Sequence, residues 1–84
     1  MIRPTLNLNG SSADDLIDPR IAAYEALQAV KEALAKVTPH GRDYPGDTAQ
    51  CLADREAHYD RLATLRAIAA ELILEVISIE EQTK

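Results

Sequence analysis

Apolar positions along the chain form two stripes with helical spacing, separated by a polar segment. The first stripe consists of Ala23, Leu27, Val30, Leu34 and Val37, and Ile21 and Tyr24 widen it. The second consists of Tyr59, Leu62, Leu65, Ala69, Leu72, Val76 and Ile79. Steps of three and four residues place side chains on one face of an α-helix. The pattern therefore predicts two long helices that pack along these stripes.

The start of the first helix carries two signals. The segment Ser11–Asp15 offers serine hydroxyls and first-turn carboxylates to the unpaired amide groups of a helix start. Asp18-Pro19 offers a second start, with a capping aspartate before proline at the first helical position. Two interpretations stay open, namely one kinked helix over 12–37 or a helix broken near 18–19. Pro39 ends the helix, because the residue before a proline avoids the α region.

The second helix is predicted over 47–81. Asp47 caps its start, and Gln50 completes a capping-box pattern. Residues 38–46 form the polar loop between the helices. In residues 1–10 apolar and polar positions alternate, which predicts a short extended arm. The chain is thus expected to be a single all-α domain over 1–84, a two-helix antiparallel hairpin with an extended N-terminal segment.

The last third of the second helix predicts self-association. Its apolar residues point around most of the circumference: Ile68, Leu72, Ile73, Leu74, Val76, Ile77 and Ile79. One neighbouring helix covers only about a third of a helix surface, so further helices have to come from other subunits. A chain of 84 residues also has a thin core, and Cys51 is its single cysteine, which excludes an internal disulfide. We therefore expect a helical homo-oligomer that forms through Ile68 to Ile79.

Composition excludes several classes of function. The net charge is −5, with basic residues dispersed along the chain, which disfavours general nucleic-acid binding. No stretch approaches the roughly 20 apolar residues of a membrane span, and residues 1–8 lack the apolar core of a signal peptide. We expect a protein of the cytoplasm without a membrane partner.

The loop between the helices holds the richest chemistry. His40, Arg42, Asp43 and Tyr44 follow one another between proline and glycine residues. A guanidinium can clamp a phosphate or carboxylate at two points, and a tyrosine ring can stack on a base. The alternative is that these side chains only tie the loop to the helix ends. The sequence leaves both interpretations open.

A second polar cluster lies on the second helix, where Asp54, His58 and Arg61 share one face next to the loop. His58 and Arg61 suit an anionic ligand, whereas Asp54 and His58 also fit an ordinary surface pair. Cys51 and His58 lie two turns apart, which is too far for a nucleophile–base pair. Zinc spacing is absent among the histidines, Cys51 and Asp47. We expect no metal, no cofactor and no catalysis.

Three short motifs resemble a family of small helical proteins encoded by bacteriophages and prophages. They are Leu8-Asn9-Gly10-Ser11-Ser12, Gly41-Arg42-Asp43-Tyr44, and His58 with Arg61-Leu62, Leu65 and Glu71-Leu72. Such proteins are similar to viral sponges that capture the cyclic or NAD-derived messengers of bacterial defence, as in CBASS and Thoeris. The resemblance implies capture without catalysis in pockets between subunits.

By this resemblance, a nucleotide-type ligand would be held by Asn9, Ser11, Arg42, Tyr44, His58 and Arg61, and His40 of the loop joins the candidate ligand-binding set. The alternative function is a protein–protein interaction module. It would inhibit or assemble with a host or phage protein through its acidic faces.

Overall fold

The computed structural model describes residues 1–7 and 10–84. These residues form two helices and no strand, so the all-α prediction is confirmed. Helix α1 spans Ala13–Ala35, and helix α2 spans Thr48–Glu81. The two pack against each other as a hairpin. A short 3-10 turn, Gly41–Asp43, lies in the loop between them. The predicted arm includes residues 8 and 9, which lie outside the described part.

Helix α1 begins with a complete capping box. The amide of Asp15 donates to the hydroxyl of Ser12 at 3.2 Å, and the amide of Ser12 donates to the Asp15 carboxylate at 3.3 Å. The helix then continues through Pro19, so of the two interpretations the continuous helix is the observed one. The start at Ser12 is favoured because the cap satisfies two amide groups, whereas Pro19 removes only one helix hydrogen-bond donor.

The face of α1 that packs on α2 differs from the predicted stripe. Leu27 and Leu34 are half-buried as predicted, but Ala23, Val30 and Val37 are exposed. Ile21 and Tyr24, which were predicted to widen the stripe, are half-buried, and the same face includes Ile17 and Lys31. This face buries larger side chains than one containing Ala23, and hydrophobic stabilisation grows with the apolar area removed from water. The stripe prediction for α1 was therefore wrong for Ala23, Val30 and Val37 only.

The packed face of α2 follows the predicted stripe except at its start. Leu62, Leu65, Ala69, Leu72, Val76 and Ile79 are buried or half-buried. Tyr59 is 56% exposed, and the neighbouring His58, at 1%, takes the interior position. The prediction for Tyr59 was wrong because a hydrogen-bonded imidazole occupies the space against the end of α1.

The ends of the hairpin opposite the loop are tied by polar contacts. Arg20 and Glu75 form an ion pair at 2.9 Å between α1 and α2, with side chains only 17% and 6% exposed. The Gln82 side chain accepts a hydrogen bond from the amide of Leu6 at 2.8 Å and donates to the Pro4 carbonyl at 3.0 Å. Residues 4–6 therefore lie beside the C-terminal end of α2.

The molecule is a rod of 64 × 18 × 18 Å with a radius of gyration of 18.6 Å. A compact domain of this length would have a radius of gyration of about 12 Å. The accessible surface is 6089 Å², whereas a compact monomer of this mass exposes about 4,900 Å². Across the described residues, neither helix is long and apolar enough to cross a membrane.

Candidate functional site

An open cleft of about 380 Å³ lies where the end of α1, the loop and the first half of α2 meet. Its wall combines apolar and polar side chains: Val37, Pro39, Tyr44, Asp54, Ala57, His58 and Arg61. Three residues of the predicted ligand-binding set, Tyr44, His58 and Arg61, therefore line one cleft. The two polar clusters predicted from the sequence meet here.

The buried imidazole of His58 links α1 to Arg61. Its Nδ1 lies 2.7 Å from Nη2 of Arg61, and its Nε2 lies 3.2 Å from the Thr38 hydroxyl. That hydroxyl donates to the carbonyl of Ala35 at 2.9 Å. A guanidinium can only donate, so Nδ1 is the acceptor and the proton of a neutral imidazole lies on Nε2, facing Thr38. His58 thereby orients Arg61.

Arg61 is the cation of the cleft. Its side chain is exposed, and its contact with His58 uses one of the guanidinium N–H groups. A guanidinium carries five N–H donors in a fixed plane. The remaining donors have no polar partner among residues 1–7 and 10–84. Arg61 can therefore bind an anionic oxygen while His58 keeps its orientation.

A carboxylate also lines this cleft and is held between two donors. The Tyr44 hydroxyl donates to Oδ2 of Asp54 at 2.6 Å, and the side-chain amide of Gln50 donates to Oδ1 of Asp54 at 2.7 Å. These two hydrogen bonds lower the pKa of Asp54 below its ordinary value. The bond to Asp54, then burial and the nearby negative charge, raise the pKa of Tyr44 to about 12. Tyr44 is thus a neutral phenol whose hydroxyl is already engaged.

The predicted capping box of α2 is only half formed. The Asp47 side chain accepts from the amide of Gln50 at 3.0 Å, so Asp47 caps α2 as predicted. The Gln50 side chain reaches forward to Asp54 rather than back to the cap, because the amide of Asp47 already donates to the carbonyl of Tyr44 at 3.0 Å. This change places Gln50 in support of the cleft.

The loop is fastened to α2 beside the cleft. Nε of Arg55 donates to the carbonyl of Pro39 at 2.9 Å. Nδ1 of His40 accepts from the amide of Arg42 at 3.2 Å and so begins the 3-10 turn. Gly46, at φ 74°, adopts a left-handed conformation that favours glycine and turns the chain into α2. Arg55 and Thr38 were missed as site residues, although Arg55 lies one turn before His58.

The remaining predicted site residues lie outside this cleft. His40 and Arg42 are exposed on the loop, and the Arg42 guanidinium has no polar partner among the described residues. Ser11 lies at the opposite end of the hairpin, in a separate cleft of about 490 Å³ that Leu6 and Thr83 also line. Asn9 is outside the described residues. Within one chain, the structure brings together only part of the predicted set.

Cys51 is buried with a free thiol. Within the described ranges 1–7 and 10–84, no group of three or more histidine, cysteine or acidic side chains is placed to hold a metal ion. What the cleft offers is a set of binding groups. Arg61 donates to anions, Asp54 accepts from hydroxyl or amino groups, and Val37, Pro39 and Ala57 present apolar surface.

Comparison of the chain with protein-family models, with curated proteins and with solved structures finds no match. Function is therefore inferred from the geometry of the cleft and from the surface of the rod.

Proposed function

We propose that this protein is a phage-encoded, non-catalytic binding protein that sequesters a nucleotide-derived immune signal, of the cyclic oligonucleotide or ADP-ribose type, in pockets between subunits. The observation that carries the proposal is the cleft in which Arg61, oriented by buried His58, faces the neutral phenol of Tyr44. An oriented guanidinium and an aromatic ring are the two groups that a nucleotide needs, for its phosphate and its base.

Charge in the cleft favours one orientation of such a ligand. A phosphate belongs beside Arg61, because Asp54 repels it from the other side. The Asp54 carboxylate can accept from a ribose hydroxyl or a base amino group. Since the Tyr44 hydroxyl already donates to Asp54, Tyr44 would use its ring face. The cleft volume of about 380 Å³ lies in the lower part of the range for small-molecule sites.

Self-association is the second part of the proposal, and it is supported by the surface area of the rod. One chain exposes 6089 Å², which is roughly 1,200 Å² more than a compact monomer of its mass. A standard interface buries about 800 Å² per partner, so the excess matches the surface that an oligomer would cover. Ile68, Leu74 and Ile77 are 43%, 52% and 43% exposed on the apolar end of α2.

Arg42 supports a pocket shared between subunits. Its guanidinium extends from the loop without a polar partner among the described residues. An unpaired guanidinium at a fastened loop, next to the Arg61 cleft, is available to a second phosphate or to a ligand that spans two chains.

The alternative function is a protein–protein interaction module. One observation favours it, because Leu52 and Tyr59 are 60% and 56% exposed on α2 in a chain of net charge −5. Apolar side chains rimmed by acidic ones also suit a basic protein partner.

A thermal-shift panel of cyclic dinucleotides and ADP-ribose derivatives tests the proposal. A ligand that binds only the folded state raises the melting temperature, by several degrees at saturating concentration. Arg61→Ala should abolish the shift, measured against that variant's own unliganded melting temperature. Lys36→Ala is the matched control, since it removes a positive charge from the same end of the hairpin without lining the cleft. A panel without any shift would leave the interaction module as the better explanation.

A further inference from the structure

A second stripe of helical spacing runs along the solvent side of α2. Its members are Leu52, Glu56, Tyr59, Ala63, Arg66 and Ala70, all of them exposed. They are separated by alternating steps of four and three residues, which keeps them within about 80° of arc at 3.6 residues per turn. We call this set the outer stripe. It does not coincide with the face that packs on α1, which contains His58, Leu62 and Ala69.

The two charged members of the outer stripe have no polar partner in the part of the chain that the structure describes. The side chains of Glu56 and Arg66 form no ion pair or hydrogen bond with the described residues. Along α2, Arg66 has Leu62 and Ala70 one turn away on either side, so neighbours in the helix cannot neutralise it. A heptad stripe with one acid and one base in it needs opposite charges at matching positions on whatever covers it.

We propose that the outer stripe packs antiparallel against the same stripe of a second copy, around a two-fold axis at the level of Arg61. This inference rests on the homo-oligomer of the proposed function and adds a contact to the one expected at Ile68 to Ile79. Residues equidistant from Arg61 then face each other. Glu56 lies opposite the partner's Arg66, and the same pair repeats across the axis.

The apolar members are complementary in size under the same symmetry. Tyr59 lies opposite the partner's Ala63, and Leu52 lies opposite the partner's Ala70. Each large side chain therefore meets a small one, which lets the helices approach closely and fill the space between them.

Charge selects this register over its neighbours. A shift of one heptad, which would centre the pair between Thr64 and Leu65, places Glu56 opposite the partner's Ile73 and leaves both charges without partners in an apolar seam. A parallel, in-register pair places Glu56 against Glu56 and Arg66 against Arg66, which adds like-charge repulsion. Within residues 52–70, the antiparallel register at Arg61 pairs both charges and places each large apolar side chain opposite an alanine.

Charge reversal tests the contact. Glu56→Arg and Arg66→Glu should each weaken self-association roughly tenfold or more by light scattering or sedimentation, because each places like charges together. The double variant restores both pairs with their signs exchanged and should recover wild-type association. Both sites are exposed, so circular dichroism should show that the hairpin is unchanged. Unaltered association in the single variants would overturn the proposal. A double variant that associates more weakly than either single variant would also overturn it.

Disulfide trapping tests the direction of the pair. In a Cys51→Ala background, a mixture of Leu52→Cys and Ala70→Cys chains should form the mixed disulfide. Ala70→Cys alone should not dimerise, since its copies would lie about 27 Å apart along the axis. Ala53→Cys is the control, exposed but outside the stripe. Self-linked Ala70→Cys would overturn the antiparallel register.

Failure of this inference and failure of the proposed function are distinguishable on the same samples. If Leu52→Cys and Ala70→Cys chains form the mixed disulfide but no nucleotide raises the melting temperature, the contact would be supported and the proposed nucleotide sequestration would be rejected. If a nucleotide raises the melting temperature of protein that forms no such pairs, the contact would be rejected and the proposed nucleotide sequestration would be retained.

Discussion

At the scale of single residues, the cleft is organised by hydrogen bonds that leave selected groups free. His58 is 1% exposed, and both of its ring nitrogens are engaged, so it acts through Arg61 rather than on a ligand directly. Tyr44 is engaged through its hydroxyl and has a free ring. Arg42 is the opposite case, since its whole guanidinium is free among the described residues. These differences decide which variants report on ligand binding.

Arg42→Lys should weaken nucleotide binding although it keeps the charge. A lysine cannot make the two-point contact of a guanidinium, and a charge-assisted hydrogen bond contributes about 1.5–3 kcal/mol, which is roughly a ten- to hundredfold change in affinity. Arg42→Ala should leave the unliganded melting temperature unchanged, because the side chain has no partner to lose among the described residues. Calorimetric titration measures the affinities. Equal affinity in wild type and Arg42→Ala would show that Arg42 does not contact the ligand.

The Tyr44–Asp54 hydrogen bond predicts a specific pH dependence of stability. The pKa of Asp54 is lowered from 3.8, so its contribution is present above about pH 4 and is lost as the pH falls through the folded-state value. The pKa of Tyr44 is raised from 10.0 to about 12, so its contribution is present below pH 10 and is lost as the pH rises towards 12. Melting temperatures of wild type and Tyr44→Phe should therefore converge at both extremes. A constant offset for Tyr44→Phe would contradict the assignment.

At the scale of elements, the Arg20–Glu75 ion pair fixes how α1 and α2 align. The contact joins positions 55 residues apart and is mostly shielded from water. Removing one partner leaves the other charge buried and unpaired, which lowers the free energy of unfolding by about 3–5 kcal/mol. Replacing both partners with apolar residues is often neutral. Arg20→Leu should therefore destabilise the hairpin strongly in urea unfolding, and Arg20→Leu with Glu75→Leu should recover most of the loss. Additive losses in the double variant would indicate that the pair does not couple the helices.

The helices were predictable from local signals, and their packing was only partly so. Ser12, Asp47 and Pro39 act within one or two turns of the backbone, so the sequence predicts where α1 and α2 begin and end. The face of α1 was harder, because two heptad stripes compete there and the choice depends on which side chains α2 offers. For the same reason His58, polar by type, was not recognised as interior. Its partner Thr38 is 20 residues away and meets it only in the folded hairpin.

The candidate site shows the same limit. Asp54, His58 and Arg61 share a helix face, so their clustering follows from spacing alone. The bond from Tyr44 to Asp54 and the bond from Arg55 to Pro39 depend on the path of the loop, which no short-range pattern encodes. The placement of Ser11 at the far end of the hairpin follows from the hairpin itself and directs attention to a second copy.

At the scale of the whole molecule, the elongated rod has a thin core and an exposed heptad stripe, and we propose that it is a subunit of a larger assembly. Its predicted ligand-binding groups are divided between the two ends of a 64 Å molecule. Ligand binding and assembly are therefore expected to depend on each other, with the complete pocket present only when chains associate.

Native mass spectrometry with the best nucleotide of the thermal-shift panel tests this claim most directly, because it reports assembly and occupancy together. The account predicts assemblies with an even number of 9.2 kDa chains that carry nucleotide, and monomers that carry none. Glu56→Arg should reduce the assemblies and the bound nucleotide in parallel. Nucleotide on the 9.2 kDa monomer, or assemblies that bind none, would contradict it.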